Sequence, residues 1–215
     1  MIKKIKDLFI KYRKLIILFI SLVIFMLIAK DIFQKEIIKY DIWAHKVLVE
    51  NLRCDWLTLI MKIITDFGSA FVLVPVTMTM FIFSKHKGIT TGLNLITITI
   101  INIILKFIVQ RPRPSGFNII IESGYSFPSG HSMVSTAFYG LLIYLAYKNI
   151  KNKMLKAIIC SLLFILIILI CISRVYLGVH YASDVIGGFF ISISYLMIFV
   201  MIVPKFLNII DKEKK

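Results

Sequence analysis

Apolar residues in this chain gather in six stretches, at about 15–29, 67–83, 89–109, 133–147, 157–172 and 185–203. An α-helix rises 1.5 Å per residue, so about 20 such residues cross the roughly 30 Å hydrocarbon core of a bilayer. The first stretch is short for a crossing unless its flanking lysines reach outward to the headgroups. The second contains Pro75, which helices in membrane bundles tolerate, and the third is interrupted near its end by Lys106. Between the first two lies a mixed segment, 30–66, in which 41–45 and 56–64 read as short helices at the membrane interface, anchored by Trp43 and Trp56. There is no repeat, no low-complexity linker and no sign of a second domain. The pattern predicts an all-α fold: an integral membrane bundle of about six transmembrane helices with short interfacial helices, a single domain over 1–215.

Composition strengthens this reading. Of the 215 residues 59% are hydrophobic, and the mean hydropathy is +0.90. A soluble domain is nearer half apolar. The net charge of +15 would suggest a nucleic-acid partner in a soluble protein. Here the aromatic residues lie within the apolar runs and not among the basic ones, so no nucleic acid is implied. The basic loops instead suit the anionic headgroups of a bilayer. Cys54, Cys160 and Cys171 are odd in number and form no C-x-x-C pair, so neither a disulfide nor a metal site is inferred. The N-terminus, with Lys3, Lys4, Lys6, Lys11, Arg13 and Lys14 before an uncharged run, resembles a signal peptide. No small-x-small site precedes Lys30, and the segment reads as an uncleaved first span.

The basic residues also orient the chain. With the N-terminus in the cytoplasm, segments 1–14, 84–88, 148–156 and 204–215 fall inside and carry six, two, four and four Lys or Arg. Segment 30–66, outside, has six basic residues but also six acidic ones. This is the asymmetry of the positive-inside rule. An even number of spans leaves both termini cytoplasmic. The loops at 110–132 and 173–184 then share the extracytoplasmic face.

Those two loops hold residues that an apolar bundle does not need for folding. Lys106, Arg113 and Arg174 are cations at span ends, a costly place unless they have a partner. Converging, they would bind a dianion such as phosphate, whose oxygens match the guanidinium fork. Pro128-Ser129-Gly130-His131 precedes a span, so its N–H groups stand at a helix N-terminus, and Gly130 permits close backbone approach. His180 and Asp184 are four apart and share a face if 178–184 is helical. A carboxylate on one imidazole nitrogen leaves the other free to attack, and His131 is placed to protonate a leaving oxygen. One phosphate cradle and two histidines suffice for covalent phosphoryl transfer without a metal. Singly these signals are weak: a basic residue at a span end usually anchors to headgroups, and a lone loop histidine is usually polar surface, the reading given to His45 and His86. A particular tetrapeptide arises by chance on the order of once in 10^5 positions.

Jointly the three segments resemble the signature of the type-2 phosphatidic acid phosphatase and vanadium haloperoxidase superfamily: K-x6-RP, then PSGH, then SR-x5-H-x3-D. Every position is present: Lys106, Arg113, Pro114, Pro128, Ser129, Gly130, His131, Ser173, Arg174, His180 and Asp184. The signature occupies 106–184. The resemblance implies a helical bundle, a phospho-histidine intermediate and no metal or other cofactor. It makes His180 the nucleophile, Asp184 its orienting partner and His131 the general acid. Lys106, Arg113, Ser129, Gly130 and Arg174 become the phosphate ligands. The Arg-Pro pair is doubled, and only Arg113 has the required spacing from Lys106; Arg111 is left to contact a headgroup or a second phosphate.

The expected partner is a phosphorylated lipid in the bilayer, and the branch resembled is that of bacterial undecaprenyl-diphosphatase or phosphatidylglycerophosphatase-type enzymes. Undecaprenyl diphosphate, converted to undecaprenyl phosphate, is the first expectation, because a recycling enzyme of this kind faces outward and the chain is short. Phosphatidate, phosphatidylglycerol phosphate and diacylglycerol pyrophosphate are the alternatives. A haloperoxidase would hold vanadate in the same cradle, but six lipid spans argue against it. A non-catalytic membrane protein would not need the complete His131–His180–Asp184 set.

Overall fold

Short polar side chains mark where two of the long helices begin. Asn152 accepts hydrogen bonds from the N–H groups of Met154 (2.9 Å) and Leu155 (3.1 Å), and Ser129 accepts from Ser132 (3.5 Å). Each satisfies a donor that the first helical turn leaves without a partner. At the end of the third apolar run Gln110 turns left-handed, with φ of 51°, and Pro112 follows, so the helix cannot continue.

The computed structural model describes residues 2–34 and 38–213, with side chains described over 12–34 and 38–203. The side chains of the basic tails at 1–11 and 204–215, counted above for orientation, lie outside the described residues. The described residues form eight α-helices: α1 (Ile2–Phe33), α2 (Lys39–His45, running on into a wider π-type turn, Lys46–Asn51), α3 (Asp55–Asp66), α4 (Ala70–Phe83), α5 (Lys85–Val109), α6 (Gly130–Asn149), α7 (Lys153–Tyr176) and α8 (Ala182–Glu213). The fold is all-α, as the apolar pattern predicts.

By length and apolarity alone, four or five of the about six expected crossings stand out. Four helices are long and apolar enough to span a bilayer alone: Tyr12–Phe33 within α1, α5, α7, and Ala182–Val203 within α8. The segment expected as a separate interfacial helix at 56–64 is α3, which continues into α4 through a bend of 43°; together they make a fifth candidate. The fourth expected span, 133–147, lies in α6, which runs from one end of the bundle to the other and is less apolar than its neighbours for a physical reason. It packs against α5, α7 and α8 and buries Ser132, Ser135 and Thr136 together with Ala137 and Phe138. A helix enclosed by other helices is released from the demand that its surface be apolar all round. The outer helices meet that demand, and α7 leaves Ile158, Leu162, Phe164 and Ile165 exposed toward lipid.

Helix α1 packs along α8, where the hydroxyls of Ser21 and Ser194 lie 2.8 Å apart. Small side chains allow this close approach in membranes. α5 and α7 end, and α6 and α8 begin, at one end of the bundle, so residues 110–129 and 177–181 form one surface there. Ile119 N–H donates to Leu177 O (3.0 Å) across it. The α4–α5 turn at Ser84 and the α6–α7 connection lie at the opposite end. α2, with Trp43 largely exposed, caps the first end.

The α4–α5 turn is closed by Gly88, where an added Cβ would stand 2.2 Å from the Cα of Phe81. Gly88→Ala must push the two helices apart, and overpacking of this kind costs about 1–3 kcal/mol. The expected outcome is a lower Tm in detergent; an unchanged Tm would contradict the close approach.

Candidate active site

Helix α8 starts with a side-chain cap. The Asp184 carboxylate, three residues into the turn, accepts from the backbone N–H of Tyr181 (2.9 Å). Its charge also suits the positive end of the helix. His180 lies before the helix, in a bend that Gly178 opens with φ of 75°. The condition that 178–184 be helical is met only from Ala182 onward, yet the two side chains still meet. His180 Nδ1 is 3.5 Å from Asp184 Oδ2 and 3.3 Å from Ser126 Oγ, and Ser126 donates to the same carboxylate oxygen. The other nitrogen, Nε2, faces Arg113 Nη1 at 3.1 Å. These partners assign the proton to Nδ1 and the lone pair to Nε2. Burial pushes the His180 imidazole down to about 4, with Asp184 opposing and Arg174 and Arg113 reinforcing the shift. The ring is neutral near pH 7, as a nucleophile must be.

Arg113 joins the two loops. Its Nε donates to Gly124 O (3.0 Å), Nη2 to Ser123 O (3.0 Å) and Nη1 to Val179 O (2.9 Å). Arg174 is only 1% exposed; it donates to Thr65 Oγ1 (2.7 Å) and to Glu122, while its buried Nε has no hydrogen-bond partner. Lys106 Nζ donates to Tyr125 O, and the charges of Arg113, Asp184, Glu122 and Arg174 all act on it. The three cations thus share one neighbourhood. Glu122 stands among them, 3.9 Å from Arg113 Nη2. Burial pushes its carboxyl up, but Arg174, His131 and Arg113 outweigh burial and hold it below the usual carboxylate range. A carboxylate therefore already occupies the flank of the expected phosphate cradle.

His131, in the first turn of α6, lies near enough to Arg174, Glu122, His180 and Arg113 for their charges to act on it. Its neighbour on the other side is Gly68, in the α3–α4 bend, where a Cβ would lie 3.2 Å from His131 Cδ2 and 2.9 Å from Ile170 Cγ2. Ser129 caps α6 with its hydroxyl, and its N–H donates to Asp184 O (3.0 Å). A Cβ on Gly130 would lie 3.1 Å from Asn102 Oδ1, and Asn102 donates to Pro128 O (3.1 Å). The close approach that Gly130 permits here is thus to Asn102. Among the described residues, no group of three or more His, Cys, Asp or Glu side chains is arranged to hold a metal ion.

All the signature residues therefore converge at one end of the bundle. A family model described as the PAP2 superfamily matches residues 87–207. The chain belongs to the PAP2 superfamily. It is 33% identical over 186 residues to a phosphatidylglycerophosphatase B of Bacillus subtilis, covering 82% of this chain and 89% of that protein. It is 29% identical over 198 residues to an undecaprenyl-diphosphatase of Sulfolobus acidocaldarius, covering 87% of this chain and 89% of that one. The fold is similar to the crystal structure of a transmembrane PAP2-type phosphatidylglycerolphosphate phosphatase from Bacillus subtilis, with a TM-score of 0.74 and 29% identity over 88% of this chain and 95% of that one. The resemblance read from the motifs is borne out. This PAP2 chain is a multi-pass integral membrane protein and a lipid phosphatase, a hydrolase of phosphoric monoesters or diphosphates.

The PAP2 signature does not account for the whole site. Arg111, expected to meet a headgroup or a second phosphate, is corrected: it donates to Asp184 Oδ1 (2.6 Å) and Asp41 Oδ2 (2.9 Å), with its guanidinium 4.1 Å from the ring centre of Tyr181. His45, expected as polar surface, pairs with Glu50 (3.2 Å), stacks edge-on against Phe117 and lines with His180 a largely apolar cavity of about 200 Å³. Asp41, Thr65, Gly68, Asn102, Glu122 and Ser126 escaped the sequence reading. Only Asp41 left a signal, a carboxylate on a short interfacial helix that needs a partner once buried.

Gly68→Ala is expected to displace the His131 ring or Ile170. Misplacing a reacting group by about 1 Å can cost roughly a hundredfold, and a shift of a few tenths correspondingly less. Turnover should fall about tenfold with little change in Tm. Wild-type turnover would show that the bend leaves His131 more room than the geometry allows.

Proposed function

We propose that this PAP2 chain removes the terminal phosphate of a lipid phosphate through a phospho-histidine formed on His180, at the extracytoplasmic face of the membrane. The observation that carries the reading is the setting of His180, with Nδ1 turned to Asp184 and Ser126 and Nε2 turned to Arg113. Arg113 is then a phosphate ligand adjacent to the attacking nitrogen. Lys106 and Arg174 complete the positive cradle, and the unpartnered Nε of Arg174 is a donor waiting for an oxygen. Ser129 and Gly130 stand at the N-terminus of α6, whose N–H groups favour an anion.

In the first step the Nε2 lone pair attacks phosphorus in line. The bond to the lipid oxygen breaks, its electron pair leaves with that oxygen, and His131 supplies the proton. Asp184 keeps the Nδ1 proton and stabilises the positive imidazole. In the second step water attacks phosphorus and gives its proton to His131. The N–P bond returns its electrons to Nε2, releasing inorganic phosphate. The cations stabilise charge on the equatorial oxygens, where most catalysis of phosphoryl transfer arises. No metal or other cofactor takes part in this scheme.

Phosphatidylglycerol phosphate is the first substrate to test, supported by the 33% identity and by the TM-score of 0.74 to proteins bearing that name. Undecaprenyl diphosphate, favoured by sequence reasoning, is the second, supported by the 29% identity over 198 residues to a diphosphatase. The apolar cavity of about 200 Å³ beside His180 suits hydrocarbon near the phosphate. The full range 1–215 acts as one domain in this reading, since Asp41 and Asp184 meet through Arg111. The outward orientation rests on the basic segments at the end opposite the site.

Two measurements test these proposals. With phosphate release followed over a panel of lipid phosphates, His180→Ala should lose at least about a thousandfold in turnover while keeping its Tm, as loss of a nucleophile does; near-wild-type turnover would sink the mechanism. Cys54 is exposed at the active-site end. A membrane-impermeant maleimide applied to intact cells should label it and should not label Lys151→Cys made in a Cys54→Ser background. The reverse pattern would place the site in the cytoplasm.

A further inference from the structure

We propose that Arg111 and Asp41 are positioning residues for the nucleophile: a bridge from α2 that holds the Asp184 carboxylate in the orientation from which it aligns His180. The inference rests on the reading of His180 as the nucleophile.

Asp184 has no exposed surface, so both of its oxygens must find donors inside the protein. Oδ2 is met by Ser126, by the N–H of Tyr181 (2.9 Å) and by the His180 edge (3.5 Å). Oδ1 is met by Arg111 Nη1 at 2.6 Å. Arg111 thus decides which oxygen is left for the imidazole. The guanidinium is itself held in place: Nη1 also reaches Ser183 Oγ (2.6 Å), Nη2 reaches Asp41 Oδ2 (2.9 Å), and Tyr181 covers one face at 4.1 Å. Asp41, 8% exposed, accepts in addition from Ser183 N–H (2.7 Å) and Ser183 Oγ (2.6 Å). Each amino group of Arg111 therefore donates to a carboxylate, Nη1 to Asp184 and Nη2 to Asp41. The first arginine of the doubled Arg-Pro pair, Arg111, serves the nucleophile's partner, while Arg113 serves the substrate.

The chain of contacts Asp41–Arg111–Asp184–His180 joins a helix outside the matched family region to the reacting nitrogen. It makes α2 part of the catalytic apparatus. A group that orients a reacting residue through hydrogen bonds typically costs about ten- to a hundredfold in activity when removed. Such a loss falls on kcat, because substrate binding does not use the group.

The test uses the full chain in detergent, with phosphatidylglycerol phosphate and undecaprenyl diphosphate as substrates and His180→Ala in parallel. Arg111→Ala and Asp41→Asn should each lower kcat about ten- to a hundredfold, with KM within about threefold of wild type. Arg111→Lys should recover part of the Arg111→Ala loss. Arg111 also lines an open cavity of about 710 Å³ beside Phe33 and Val109. Guanidinium at tens of millimolar should therefore enter the gap left by Arg111→Ala and restore turnover several-fold, whereas urea should not. Rescue by a cation of the missing shape is not expected of a purely structural role. Wild-type kcat in both variants, a raised KM with unchanged kcat, or an Arg111→Ala loss that guanidinium leaves untouched would each overturn the inference. If Arg111→Ala does not fold, Asp41→Asn decides alone: wild-type kcat refutes the bridge and a loss confined to kcat upholds it. Activity in His180→Ala would instead remove the mechanism on which the inference stands, so the two failures are told apart.

Discussion

A fully buried carboxylate at the first turn of α8 organises this molecule. Asp184 cannot shed its charge into water, and an uncompensated charge in an apolar bundle is among the most costly things a fold can contain. Its two oxygens draw in Ser126 from the long loop, Arg111 from beyond α5, the Tyr181 N–H from its own helix start, and the edge of His180. These donors come from two stretches of chain far apart in sequence, Arg111 and Ser126 from one and His180 and Tyr181 from the other. Satisfying one carboxylate therefore closes the loops 110–129 and 177–181 onto each other and onto α2. The orientation of the imidazole is a by-product of that closure.

A second electrostatic constraint lies beside the first. Lys106, Arg113 and Arg174 repel one another, and two of them are drawn together by Glu122, which pairs with both guanidiniums. The cations are thus gathered by the protein's own groups, with Glu122 balancing part of their charge, in the arrangement that the proposed phosphate would meet. Preorganisation of this kind is what electrostatic stabilisation of phosphoryl transfer requires. The bundle serves it by putting α6 at its centre, enclosed by α5, α7 and α8, so that His131 starts from a helix with little freedom to move.

Much of this was legible in the residues alone. Apolar stretches declare helices because lipid and helix geometry act locally, over about 20 consecutive residues. His131, His180 and Asp184, with the cations Lys106, Arg113 and Arg174, stand out because their spacing is itself local: a turn, a cap, a helix end. The all-α membrane class, the PAP2 membership and the phosphatase chemistry follow from such short-range patterns.

What only the tertiary structure decided depends on which surfaces meet. The apolar stretch in α6 reads like its neighbours, yet it faces protein where they face lipid, and hydropathy does not distinguish the two. His180 and Asp184 are four apart and invite a helical reading; the left-handed Gly178 places His180 before the helix and brings the pair together by a turn. Arg111 and Arg113 are alike in sequence, and only the fold gives one to Asp184 and Asp41 and the other to the face of His180. Asp41, Glu122 and Ser126 carry no spacing signal, because each meets partners more than 50 positions away along the chain. Local patterns of residues set the reaction class and the solvent in which the chain folds. The tertiary structure decided which charges face one another, since a contact between distant segments is written in no single one of them.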